Sequence, residues 1–307
     1  MFDYLLVFLS VVLLAVNFML GKLKQTESRT LEVSLKFSLL SAPVIFFVLF
    51  AINGFTVAFS PFSVINCALK TLCAVLYGVL GFEIMQRGNV AIYTLFLMSG
   101  GMLVPAVYGW IFLDEPVMPL RVVGVAVIVF SVVLSNLSKQ KLNLPLLLLC
   151  VLVFFLNGGV SVFSKLHQIA VDQVTVSSLD YMLIGDIFTF IFNLAILAVI
   201  LIRKRCKASP CNEDTCDGEE NGNKKAALKK ALILLAIPYA ATLIGNASYF
   251  LQLEGAKNLP ASVLYPMITG GSVVLSGIFA FIFFKEKLSK REWISLLLCL
   301  VGTCLFL

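Results

Sequence analysis

The chain contains little of what water-soluble domains and most enzymes depend on. Only 13% of its 307 residues are charged and only one is a histidine, His167, whereas a soluble domain carries about 25% charged residues. The sequence has no H-E-x-x-H or G-x-S-x-G motif, no paired-aspartate motif and no Walker phosphate-binding sequence. These absences argue against an enzyme and against an ATP-driven pump.

A pattern for metal binding is also missing. Cys206, Cys211 and Cys216 recur at five-residue intervals, but a zinc site usually needs a tight C-x-x-C pair or histidines. The other cysteines lie in apolar stretches, where cysteine most often serves as a packing residue. We therefore expect no metal, no cofactor and no disulfide framework.

Apolar residues are what the chain has in excess. Hydrophobic residues make up 60% of it, and the mean hydropathy is +1.00. Nearly every stretch between charge clusters can cross a hydrocarbon core of about 30 Å, which takes roughly 20 helical residues. The stretches are continuous rather than alternating, which favours helices over a β-barrel. The sequence thus predicts an all-α integral membrane protein, multi-pass, which we expect in the plasma membrane.

Ten transmembrane helices are predicted from these stretches. Their approximate bounds are 2–20, 31–51, 62–86, 90–113, 117–137, 144–164, 176–202, 231–253, 260–284 and 290–307. The first stretch begins with Asp3 rather than a basic segment and has no small-residue cleavage site, so we interpret it as a helix and not as a signal peptide. The polar segment at about 203–230 is expected to be a loop that becomes helical near 224–230.

Two parts of the sequence repeat the same order of features. Residues 89–121 contain NVAIYTLFLMSGG and FLDEPVMPLR, and residues 258–293 contain NLPASVLYPMITGG and FFKEKLSKREW. Duplicated halves are typical of secondary transporters. Because each half, 1–138 and 139–307, holds an odd number of helices, the second half must enter the membrane from the opposite side. The sequence therefore predicts two inverted five-helix repeats.

Positive charge is concentrated at helix ends and in one loop. The net charge is +6, but this distribution is better explained by membrane topology than by a nucleic-acid partner. The loops after odd-numbered helices hold most lysines and arginines, and the opposite side holds little beyond Arg121, Lys165 and Lys257. The positive-inside rule then places both termini outside.

The corners FLDEP and FFKEK, each followed by a last helix with Gly124 or Gly302, resemble the EamA-type transporters of the drug/metabolite transporter superfamily. The tracts 91–101 and 261–271 are similar to helices 4 and 9 of that family. The resemblance implies a ten-helix carrier of small metabolites, amino acids or drug-like molecules with a central cavity. Many members have cytoplasmic termini, which is opposite to the orientation that the charges predict.

Polar residues deep within the predicted helices are candidates for the cavity wall, because polar groups are costly in a membrane and tend to face such a space. Lys70 would hold an anionic or carboxylate-bearing substrate, or would extend to the interface. Asp186 would pair with Lys70, carry a coupling proton or serve a structural role. The candidate substrate-binding residues are Lys70, Tyr77, Asn157, Asp186, Asn246, Tyr249, Tyr265 and Thr269.

Other polar residues are assigned structural roles. Glu115 and Glu286 lie in short loops, where a carboxylate can cap the N-terminus of the next helix. His167 is expected at the interface, at the end of helix 6. The glycine pairs 100–101 and 270–271 would allow helices to pack closely, or would provide a bend for gating together with nearby prolines.

Secondary active transport of a small molecule by alternating access, inside the lipid bilayer, is the function that these features favour. One alternative is an exchanger of phosphorylated or nucleotide-linked sugars from the same superfamily. It would need several basic residues in the cavity, and only Lys70 is clearly internal. A second alternative is a non-transporting membrane scaffold, for which Lys70 and Asp186 would both be dispensable.

Overall fold

The structure is a computed structural model that describes residues 2–25, 30–86, 90–136, 144–207, 224–284 and 289–306. Within these ranges the chain forms ten helices and no strand. The helices are α1 (Phe2–Gln25), α2 (Leu31–Ile52), α3 (Pro61–Gln86), α4 (Val90–Phe112), α5 (Pro119–Asn136), α6 (Leu144–Ile169), α7 (Ser178–Lys207), α8 (Lys224–Asn258), α9 (Ala261–Phe284) and α10 (Lys290–Cys304). The all-helical prediction is confirmed, and α1, α6, α7 and α8 extend beyond their predicted bounds.

Seven helices in the described ranges are long and apolar enough to cross a membrane. They are α1, α2, α3, α4, α6, α7 and α9, whose spans have mean hydropathies between 1.6 and 2.5. A shorter apolar helix, Pro119–Leu134, lies within α5. The chain is therefore an integral membrane protein with several apolar helices. Large apolar side chains on its outer surface, such as Phe47 and Phe155, are more than half exposed, as expected of a surface that faces lipid.

Helix ends are fixed by short-range polar contacts. The Thr30 hydroxyl accepts a hydrogen bond from the Val33 amide at the start of α2. Ser289 and Glu292 form a reciprocal capping box at the start of α10. Each of these contacts satisfies a backbone N–H that the first turn of a helix leaves without a partner.

The helices of the N-terminal half pack mainly against those of the C-terminal half. Helix α1 packs along α8 and α9, while α6 packs along α3 and α4. The remaining large contacts pair α5 with α10, α4 with α9, α2 with α7, and α3 with α7. The main core thus lies between the two halves of the chain.

Small residues allow the closest approaches between helices. Where α5 crosses α10, a Cβ atom added at Gly124 would lie 3.1 Å from the carbonyl oxygen of Gly302, and the reverse distance is also 3.1 Å. About two turns further along, Ser131 and Ser295 exchange hydrogen bonds with each other's carbonyl oxygens at 2.6 and 2.7 Å. Small and hydroxyl residues of this kind are the usual contacts between membrane helices.

Candidate functional site

The Lys70 side chain points into the helix bundle, where α3, α7 and α8 meet. Its ammonium lies 4.8 Å from the ring centroid of Tyr249 on α8 and 5.3 Å from that of Tyr181 on α7. A cation at such a distance is attracted to the electron-rich face of an aromatic ring. Lys70 and the two tyrosine rings are called the lysine cluster below.

A glycine on α7 makes room for the ammonium. A Cβ atom added at Gly185 would lie 3.2 Å from Lys70 Nζ and 3.4 Å from the Cys67 sulfur. The distance to the ammonium is tighter than ordinary van der Waals contact, so a larger residue at this position would displace the lysine. The sequence pattern did not identify Gly185 as part of the site.

Hydrogen bonds with residues of α3 position Tyr181. Its hydroxyl donates to Asn66 Oδ1 at 2.8 Å, and the Cys67 thiol donates to the Tyr181 carbonyl at 3.3 Å. Its ring is fully buried and stacks on the imidazole of His167 with 4.0 Å between ring centroids. Tyr181 was not among the predicted site residues, because nothing local distinguishes it from other tyrosines in apolar helices.

Tyr249 is positioned from α6. Its hydroxyl lies 2.8 Å from Ser164 Oγ, and the Ser164 hydroxyl donates to the Val160 carbonyl, also at 2.8 Å. Because the serine proton is used in that bond, Tyr249 is the donor to Ser164. The predicted residue Tyr249 therefore does line the lysine cluster, and Ser164, which was not predicted, orients it.

Lys70 and Asp186 do not pair with each other. Neither residue takes part in an ion pair within the described part of the chain. The Asp186 Oδ2 atom is buried and has no hydrogen-bond partner among the described residues. Asp186 lines a pocket between α7 and α2, whereas the adjacent Gly185 borders the lysine cluster. The two residues are electrostatic neighbours, but they do not form the direct ion pair that was one of the alternatives for Asp186.

The other predicted residues are spread over four helices. Tyr77 is two turns beyond Lys70 on α3 and packs against an apolar cluster that includes Ile84 and Leu146. Asn246 donates to the Thr242 carbonyl of its own helix at 3.1 Å. Thr269 is half-buried on α9, and its carbonyl accepts a bond from the Ser272 hydroxyl.

Asn157 and Tyr265 are used to join helices. Asn157 Nδ2 donates to the Leu97 carbonyl at 2.7 Å, which connects α6 to α4. The Tyr265 hydroxyl donates to the Ser161 carbonyl at 2.6 Å, which connects α9 to α6. Both polar groups face the interior as predicted, and their donors are occupied by backbone oxygens.

His167 was expected to be a structural residue at the end of α6, and it does lie in the last turn of that helix. Because α6 continues to Ile169, His167 is only 1% exposed. Its Nε2 lies 2.9 Å from the Ser63 hydroxyl, and its ring packs between Tyr181 and Phe62. The histidine is a buried packing residue that supports the wall of the lysine cluster.

Lys165 was expected in a loop, but it is buried within α6 and 5% exposed. Its ammonium donates to the carbonyl oxygens of Ala256 and Leu259 at 2.6 and 2.7 Å. Ala256 lies in the last turn of α8 and Leu259 directly follows that helix, and the helix dipole favours a positive charge at this end.

Glu115 caps a helix, but not the one that follows it in sequence. Its carboxylate accepts bonds from the Ala261 and Ser262 amides at 2.5 and 2.9 Å and from the Ser262 hydroxyl at 2.5 Å. The capped helix is α9, because α4 and α9 pack together and bring this corner to the start of α9. Lys165 and Glu115 therefore hold the two sides of the α8–α9 turn. Glu286 lies outside the described residues.

Comparisons with known proteins inform the fold but not the function. No family model and no curated protein matches this chain. Twenty-eight chains of known structure match it. One, described only as the crystal structure of a protein, has a TM-score of 0.68 and 14% sequence identity, covering 99% of this chain and 97% of its own. At that identity the likeness concerns the fold alone, and the chain is similar to that solved structure in its arrangement of helices over nearly its whole length.

Proposed function

We propose that the protein is a secondary active transporter of the EamA type that moves a small carboxylate-bearing metabolite across the plasma membrane by alternating access. The observation that carries this proposal is the lysine cluster. Lys70 places an ammonium among apolar helices with two tyrosine rings beside it and no ion-pair partner in the described part of the chain. A charge without a partner in such surroundings is costly, and a bound carboxylate would offset that cost.

The proposed architecture is ten transmembrane helices in two inverted five-helix repeats. The packing of the helices supports it, because contacts recur when each helix number is raised by five. The pair α3–α6 corresponds to α8–α1, and the pair α4–α6 corresponds to α9–α1. The pairs α2–α7, α4–α9 and α5–α10 join helices that are themselves counterparts. Two repeats that meet along such an interface are suited to rocking about a site between them.

A phosphorylated or nucleotide-linked sugar is a poorer fit than a carboxylate. Phosphate recognition needs several positive groups in one place. Lys165 is buried in the described chain, but two backbone carbonyls already occupy its ammonium. Lys70 is left as a single cation, which matches one carboxylate.

Energy coupling is proposed to use a proton carried by Asp186. A carboxyl group with a buried oxygen and no partner can become neutral by taking up a proton, and it then avoids the cost of a buried charge. Replacement by asparagine would remove that step. We expect Asp186→Asn to make uptake into proteoliposomes independent of an imposed pH gradient. Uptake that still rises as steeply with the gradient would contradict the assignment.

The function is tested with purified protein in proteoliposomes. Small carboxylates that stabilise the protein against heat are identified first, and their uptake is then measured for wild type and Lys70→Ala. We expect uptake to fall about tenfold or more in the variant, because a buried charge contact is lost. The matched control is Lys36→Ala, which removes an exposed lysine paired with Glu32 and should leave uptake unchanged. Equal uptake by Lys70→Ala would remove the lysine cluster from the site.

The inverted architecture is tested separately. Single cysteines placed at Glu115 and Glu286 would be labelled with a membrane-impermeant reagent from each side. Inverted repeats require the two corners to be labelled from opposite sides. Labelling of both from the same side would exclude the proposed topology.

A further inference from the structure

The Tyr77 hydroxyl group makes no hydrogen bond in the described part of the chain, although its side chain lies deep in the helix bundle. Other tyrosines deep in the bundle are bonded, Tyr181 to Asn66 and Tyr265 to the Ser161 carbonyl. Tyr77 is only half-buried, so its hydroxyl borders open space inside the bundle and is not enclosed by apolar side chains. A hydroxyl without a partner is costly in apolar surroundings, and a ligand in that space would supply the partner.

Tyr77 lies on the same face of α3 as Lys70. The two residues are seven positions apart, which is about two helical turns and about 10 Å along the axis. Lys70 is half-buried as well, and Tyr77 interacts electrostatically with both Lys70 and Tyr249. The ammonium and the free hydroxyl therefore border one internal space and lie at two levels of it.

A third polar group with a free atom is on α8. Asn246 is one turn before Tyr249 and lies on the same side of the helix. Its Nδ2 atom donates to the Thr242 carbonyl at 3.1 Å, which fixes the orientation of the amide, because only its nitrogen can donate. The Oδ1 atom remains as an acceptor without a partner in the described ranges.

Asn246 and Tyr77 are displaced from the lysine cluster in the same direction. Helices α3 and α8 run in opposite directions, because the end of α6 contacts both Ser63 at the start of α3 and Ala256 near the end of α8. Tyr77 follows the lysine of the cluster on α3, and Asn246 precedes its tyrosine on α8. Both polar groups are therefore farther from that end of the bundle than the lysine cluster is.

Building on the proposed transport function, we infer that the substrate is an elongated carboxylate whose far end carries an uncharged polar group, such as a hydroxyl, bound by Tyr77 and Asn246. The tyrosine hydroxyl can donate a hydrogen bond and the asparagine oxygen can accept one, which matches a group that does both. A second charge at this end would find no counter-charge on either residue. With a hydrogen bond of about 3 Å at each end, a chain of about six carbon atoms spans the distance.

Binding of 6-hydroxyhexanoate, hexanoate and adipate is measured by isothermal titration calorimetry with the full chain in detergent micelles. We expect wild type to bind 6-hydroxyhexanoate about fivefold more tightly than hexanoate, which lacks the second polar group, and more tightly than adipate, which carries a second charge. In Tyr77→Phe the preference over hexanoate should disappear. This variant should fold as wild type does, because the hydroxyl that it lacks has no hydrogen bond to lose.

Two further variants sharpen the measurement. Tyr108→Phe is the matched control, because it removes a tyrosine hydroxyl from the last turns of α4, and it should keep the preference. Asn246→Ala removes the acceptor on α8 and should reduce the preference while Tyr77 is kept.

The outcomes separate this inference from the transport proposal. A wild-type protein without the preference, a Tyr77→Phe variant that keeps it, or tighter binding of adipate would overturn the inference. If Lys70→Ala then still weakens the binding of hexanoate about tenfold, the carboxylate site stands and only the second contact is wrong. Equal binding of hexanoate by wild type and Lys70→Ala, or no binding of any of the three ligands, would remove the carboxylate site and the inference with it.

Discussion

Two lysines point into the helix bundle, the half-buried Lys70 and the buried Lys165, and their surroundings are opposite. Lys165 donates to two carbonyl oxygens at the end of α8, and Glu115 holds the other side of the same turn. Lys70 has tyrosine rings beside it and no carboxylate partner in the described chain. A buried ammonium whose hydrogen bonds are made by the backbone stabilises the fold, whereas one without an anion is available to a ligand. Burial alone therefore does not mark a functional lysine.

The largest effect is expected from removing the structural lysine. Lys165→Met leaves the Ala256 and Leu259 carbonyls without their donor, and bonds to a charged group are worth about 1.5–3 kcal/mol each. We expect the free energy of unfolding to fall by about 3 kcal/mol, measured by denaturant titration in mixed micelles. The matched variant is Lys70→Met, which should unfold at the wild-type denaturant concentration or above. Equal destabilisation by both substitutions would remove the distinction between the lysines.

Glu115→Gln should have the next largest effect. The neutral amide keeps one oxygen but cannot accept all three bonds that the carboxylate receives at the start of α9. A lost cap costs about 1–2 kcal/mol, and we expect a loss of that size in the same titration. If Lys165 and Glu115 act on one turn, the loss in the double variant should differ from the sum of the single losses by about 0.5 kcal/mol or more. Strict additivity would show that they act independently.

Substitution of Gly185, which borders the lysine cluster, is expected to have a smaller effect. Gly185→Ala adds a methyl group 3.2 Å from the Lys70 ammonium, and we expect it to weaken thermal stabilisation by a bound carboxylate about tenfold in apparent affinity. Gly78→Ala is the control, because nothing lies within 4 Å of a Cβ atom at that position. Wild-type affinity in Gly185→Ala would contradict the proposed position of the substrate.

The smallest effect is expected from Tyr249→Phe. The ring beside Lys70 is kept, and only the hydroxyl that donates to Ser164 is lost. One neutral hydrogen bond contributes about 1 kcal/mol, so substrate affinity should fall no more than about fivefold in a direct binding measurement. A complete loss would show that the hydroxyl contacts the substrate itself.

The candidate site was predicted only in part, because the sequence pattern shows which residues are unusual locally but not which residues meet in the folded chain. Lys70 and Asp186 stand out because a charge within an apolar run is rare, and Tyr249, another candidate from the sequence, lies beside Lys70. Tyr181 and Ser164 were missed because their types and local patterns are ordinary. A direct Lys70–Asp186 ion pair was one of three interpretations of Asp186, and the described part of the chain does not form it.

The sequence by itself determined the ten helices in the described ranges of this protein and where most of them begin and end. Hydrophobicity and capping act over one or two turns, so the residues of each stretch are enough to predict its helix. The tertiary structure decided which charged side chains have hydrogen-bond partners, and which residues those partners are. Glu115 meets Ala261 across 146 residues, and Lys165 meets Leu259 across 94. Such contacts depend on the packing of whole helices, which no local pattern specifies.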